Sequence, residues 1–78
     1  MNPRYAAYAK AHDKTPDEML EHDRVEWPGG IMCGFMLWMG VQKGKFRKSN
    51  PEAFYRDISG NLTEIVDQAA WDKFLGVK

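Results

Sequence analysis

Eleven consecutive residues, Ile31 to Val41, carry no polar side chain, in a chain of only 78 residues. As a helix at ~1.5 Å per residue this run reaches ~16 Å, too short for the ~30 Å hydrocarbon core of a membrane. Protein must therefore cover it, and a chain this short buries only roughly 60–65% of the surface its unfolded form exposes. On a helical wheel Ile31, Met32, Phe35, Trp38, Met39 and Phe46 share one broad stripe, while Cys33, Leu37, Gly40 and Gly44 share another face. The first three turns are apolar nearly all round, which predicts a buried central helix over about 30–48. Gly34, Gly40 and Gly44 each cost about 1 kcal/mol relative to Ala inside a helix, so they make sense where something packs close.

The rest of the chain supplies the cover. Asn2 before Pro3 is a helix start, since Asn caps and Pro fits the first turn, where its missing N–H costs nothing. Tyr5, Tyr8, Ala9 and His12 then share one face, which predicts a helix over about 3–12. Thr15-Pro16-Asp17-Glu18 has the pattern of a capping box and opens a second helix over about 16–25. Pro28 pushes Trp27 to extended geometry and ends it. Only Met19, Leu20 and Val25 are apolar in this helix, so it is expected on the surface. Pro28-Gly29-Gly30 is a turn into the long helix. Ser49-Asn50-Pro51-Glu52 repeats the capping grammar, with one helical turn at Ala53-Phe54-Tyr55. Around the turn Ser59-Gly60-Asn61, the flanking segments fit a small β-hairpin at 54–66 or a short helix plus loop, and the second is preferred. Asp67 caps a last helix in which Ala70, Trp71, Phe74 and Leu75 form one face, and Gly76 ends it. The expected fold is mainly α. It is one domain over 1–78, a compact bundle of three to four short helices around the buried helix at 30–48.

Composition narrows the function. With 44% hydrophobic and 13% aromatic residues, the chain is too apolar to stay disordered. A lone cysteine, Cys33, forms no internal bridge, so the fold needs no oxidising compartment. The first dozen residues include Arg4 and Lys10 and lack the apolar core of a signal peptide, so a cytoplasmic location is expected. Eleven Lys and Arg balance eleven Asp and Glu, without the basic excess of a protein that coats duplex DNA. The charges are segregated, however. Residues 1–28 hold six acids and four bases, 29–48 no acid and four bases, and 49–78 five acids and three bases.

The segment Asp23-Arg24…Trp27-Pro28-Gly29-Gly30-Ile31-Met32-Cys33-Gly34-Phe35-Met36-Leu37-Trp38 resembles a D-R-x-x-[W/Y]-P-G-G-x-M-x-G-F-x-x-W pattern of short tailed-bacteriophage and prophage proteins. Thr15 to Glu18 and Asp67 to Leu75 are also similar to such proteins. The resemblance covers roughly residues 1–38 and 65–75. It departs at Gly44-Lys45-Phe46-Arg47, where those proteins tend to carry a second Trp-rich turn. The group has no established activity, so no functional residue transfers. What the resemblance implies is a phage-encoded accessory protein acting in the cytoplasm of a bacterial host.

No catalytic constellation is present: there is no Ser-His-Asp order and no phosphate loop. Cys33 inside the apolar run reads as an inert small hydrophobe. Glu18, His22 and Glu26 share a helix face, but no second His or Cys cluster completes a metal site, and a solvated face is simpler. His12, near a helix C-terminus, complements the dipole. No catalytic residue, metal or cofactor is expected, and the chain is not read as an enzyme. Three surfaces remain. Asp17, Glu18, Glu21, Asp23, Arg24 and Trp27 form a candidate protein contact, with Glu26 in the same acidic helix and Tyr8 as a further anchor. Cys33, Leu37, Gly40 and Gly44 are candidates for self-association as a homodimer. Lys43, Lys45, Arg47 and Lys48, near Phe46, Phe54 and Tyr55, could hold nucleic acid. The preferred reading is a small interaction module. It would inhibit or adapt a host protein, such as a defence or nucleic-acid-processing factor, without a membrane. The alternative is a nucleic-acid-binding accessory protein that uses 43–48.

Overall fold

The computed structural model describes residues 2–77, and its element order follows the caps in the sequence. Helix α1 spans Pro3–Ala11, with the Asn2 side chain accepting from the Arg4 N–H. Helix α2 spans Pro16–Glu26 behind a complete capping box between Thr15 and Glu18. Helix α3 spans Cys33–Ser49. A 3₁₀ turn at Pro51–Ala53 leads to strands β1 (Phe54–Arg56) and β2 (Leu62–Ile65), and α4 covers Gln68–Leu75. The Asp67 side chain accepts from the Ala70 N–H at the head of α4, and Gly76 closes it at φ 85°, a conformation that suits glycine. The fold is mainly α with one small antiparallel hairpin. No helix among the described residues is long and apolar enough to cross a membrane.

Three expectations need correction. Helix α3 starts at Cys33 and not at 30. Met32 precedes it with no side-chain cap, and Gly30 to Met32 are spent on turns in which the Gly30 N–H donates to Trp27 and the Cys33 N–H to Gly30. The preferred helix plus loop at 54–66 is instead the hairpin, paired Phe54↔Ile65, Tyr55↔Glu64 and Arg56↔Leu62. Asp57 makes it: its carboxylate accepts from the N–H groups of Ser59 and Asn61, and Gly60 takes φ 85°. The helical turn lies slightly earlier, at Pro51–Ala53.

The third correction concerns shape. The radius of gyration is 14.1 Å and the extents are 42 × 27 × 18 Å, where a compact chain of this length has a radius near 11.5 Å by the usual scaling, so the bundle is elongated. It holds two cores. Tyr5, Tyr8, Ala9, Met19 and Phe35 form one, under α1, α2 and the start of α3. Phe46, Ala53, Phe54, Trp71 and Leu75 form the other, between the end of α3, the hairpin and α4. Trp38 and Met39 pack against both, so α3 is a spine that serves each core with one side. Arg4 fastens the halves together: it donates to Asp72 and to Gln68 of α4, each at 2.9 Å.

Candidate docking surface

The spine is central but not buried. Phe35 and Phe46 are the only buried residues of α3. Met36 is 67% exposed, Leu37 62% and Val41 57%. Ile31, Met32 and Cys33 are exposed as well. The physical reason is supply. Two short polar helices, a hairpin and an eight-residue helix cover one side of a seventeen-residue helix, and nothing is left for the other. Cys33 is therefore a surface thiol and not a core hydrophobe.

The glycines divide in the same way. A Cβ on Gly34 would lie 2.8 Å from the Trp27 indole nitrogen and 2.8 Å from the Tyr8 hydroxyl oxygen, so this glycine admits a close approach. A Cβ on Gly40 or Gly44 would meet nothing within 4 Å. The close packing expected at all three occurs only at Gly34.

Asp23 leaves the acidic contact surface. It is fully buried, and it accepts hydrogen bonds from the hydroxyls of Tyr5 at 3.0 Å and Tyr8 at 3.3 Å. His22 Nδ1 lies 3.2 Å from the same carboxylate. Tyr8 is buried too and is no exposed anchor. Burial first, then the Asp23 charge and hydrogen bond, push the Tyr8 hydroxyl up to about 12. Tyr5 is raised by burial, by its hydrogen bond to Asp23 and by the same charge. Asp23 thus pins α2 to α1 from beneath. The sequence carried a signal for this: two tyrosines on one face of α1 bring two hydroxyls inward, and each needs an acceptor.

The rest of α2 faces solvent. Asp17, Glu18, Glu21, Arg24 and Glu26 are exposed, and Arg24 forks onto Glu21 at 2.6 and 2.7 Å. The Thr15 N–H and hydroxyl hold the Glu18 carboxyl below its usual value. Beside this helix runs an open groove of about 340 Å³, lined by His22, Trp27, Gly34, Leu37, Trp38 and Val41 among others. Trp27 also borders a second groove, of about 450 Å³, with Met32, Cys33, Met36 and Leu37. Trp27 is half-buried at the corner between the two.

The basic segment sits at the far end of α3. Lys45, Arg47 and Lys48 are exposed and Lys43 is half-buried. Arg47 lies over the Phe54 ring, 5.6 Å from its centre. Among the described residues no three His, Cys, Asp or Glu side chains gather as a metal site would need. No family model, curated protein or solved structure matches the chain.

Proposed function

We propose that this chain is a small protein-interaction module that presents the α2–Trp27 corner to a bacterial host protein, as a phage-type inhibitor or adaptor acting in the cytoplasm. The observation that carries the reading is the groove beside Trp27, an apolar floor bordered by His12 and His22, with the acids of α2 on the same helix as His22. Glu18 and Glu26 stand one turn either side of His22 on α2, and Leu37 and Val41 form the opposite wall. Docking sites combine an aromatic anchor, an apolar centre and a polar rim in this manner. The acids favour a partner with a basic border around an apolar protrusion. The support beneath α2, from the Thr15 cap to Asp23, keeps the rim rigid, which lowers the ordering cost of binding.

The test uses the tagged chain on bacterial lysate, with bound proteins identified by mass spectrometry. Glu26→Lys and Val41→Lys change exposed side chains and leave both cores intact. Each should weaken retention of the captured protein by about tenfold, with the melting temperature unchanged. A chain that retains nothing, or variants that retain the same protein equally well, would refute the reading.

A further inference from the structure

The outer face of α3 shares Leu37 and Val41 with the groove beside Trp27, and it admits a second occupant that competes with the first. Cys33, Leu37, Gly40 and Gly44 recur at spacings of four, three and four, the spacing of a seam along which two helices mesh. They lie on the side of α3 away from Phe35, Trp38, Met39 and Phe46, which face the two cores. We propose that a second copy of this chain covers that face, its α3 running antiparallel, with the two-fold axis level with Trp38 and Met39.

Two observations select this occupant and this direction. The first is size. In the antiparallel register Leu37 lies across from Gly40 of the second copy, and Cys33 across from Gly44. Each seam residue with a side chain meets one without. Both hollows are open in the single chain, since a Cβ at Gly40 or Gly44 would touch nothing within 4 Å. Beside the seam, the exposed Met36 side chains of the two copies share one flank and the exposed Val41 side chains share the other, so apolar surface continues on both sides. The second is charge. Residues 29–48 hold four cations and no acid, all four in the last six positions. Parallel pairing would set Lys43 and Arg47 of the two copies side by side. Antiparallel pairing sends the two sets of cations to opposite ends of the interface and removes that repulsion. The twelve residues from Cys33 to Gly44 span about 17 Å. That is a small interface, below about 1,200 Å² in total, so the pair should be weak and exchangeable.

Sedimentation equilibrium of the full chain between about 1 μM and 1 mM covers the range of weak pairing. The mass should rise from 9.0 kDa toward twice that value. Leu37→Lys, which adds a cation at the centre of the seam, should hold the mass at 9.0 kDa with an unchanged helical spectrum. Orientation is read by cross-linking. Gly44→Cys beside the native Cys33 should give a covalent dimer on mild oxidation. The native chain should not, because its two Cys33 thiols would lie about 17 Å apart along the helices. A mass that stays at 9.0 kDa up to 1 mM, or one that rises equally in Leu37→Lys, overturns the pairing. Rapid disulfide dimers of the native chain overturn the antiparallel register. The two readings fail separately: a monomeric chain whose captured protein is still lost on Glu26→Lys overturns the pairing alone, and a chain that dimerises but retains no host protein overturns the host-protein reading alone.

Discussion

The two cores of this molecule solve the same problem with different chemistry. The core at the α4 end is a cluster of rings, with Phe46 between 5.1 and 5.6 Å from Phe54, Trp71 and Phe74. The core under α1 and α2 is also aromatic, with Tyr5, Tyr8 and Phe35 at 5.4 to 5.6 Å, but its centre is a buried carboxylate. The difference follows from α2, which offers so little apolar surface that tyrosine must supply the area. Its hydroxyls then demand an acceptor, and Asp23 is that acceptor. Both solutions are complete: among the described residues no buried side-chain polar atom lacks a partner. The lesson is that one core depends on packing alone, whereas the other depends on packing and on a protonation state.

The largest effect should come from the ring cluster. Phe46→Ala removes the fully buried centre of that core and should cost about 3–5 kcal/mol. That is a large share of the roughly 4–12 kcal/mol a chain of this length has, so the melting temperature followed by circular dichroism should fall steeply. Asp23→Ala comes next. It strands the Tyr5 and Tyr8 hydroxyls at about 1–3 kcal/mol each, and it should loosen α1 from α2 while the rings of the other core stay ordered by NMR.

Alkaline pH separates the cores without a mutation. Tyr5 and Tyr8 are both raised in the folded state above the ordinary tyrosine value of 10.0. A raised folded value means their contribution is fully present below pH 10 and is lost as the pH climbs through the folded values. The melting temperature should fall above pH 10, and phenolate absorbance should rise in step with loss of the α1–α2 amide signals. Tyr5→Phe and Tyr8→Phe should each flatten that fall. The ring cluster contains no tyrosine and should not drive it.

Much of this was legible in the sequence because caps are local. Asn2, Thr15, Asp67 and Gly76 mark their helix ends through hydrogen bonds that span a few residues. The burial of Asp23 was not legible as a role, since an acid on a polar helix reads as solvated until the tyrosines of another helix are placed above it. The exposure of Met36 was not legible, and that of Leu37 was only one of two alternatives, for the opposite reason. A wheel that is apolar all round predicts burial only when enough chain exists to cover it. The hairpin was undecided because its turn is fixed by Asp57 reaching two and four residues ahead, and not by a two-residue Asn-Gly loop.

The smallest effects distinguish the glycines that serve each side of the spine. Gly34→Ala should be destabilising by about 1–3 kcal/mol, because Trp27 and Tyr8 must move. Gly44→Ala should stabilise by about 0.5–1 kcal/mol, because it gains helix propensity and touches nothing. Paired denaturant curves would show the two shifts with opposite signs.

The central claim is that the outer face of α3 is uncovered in the single chain, and Gly40→Leu measures it most directly. The variant should be melted at low concentration, where the chain is monomeric. With nothing within 4 Å of a Cβ at this position, the melting temperature should equal or exceed that of the native chain. A clear fall would mean that the chain covers this face itself, and it would contradict both the open spine and the surface built on it.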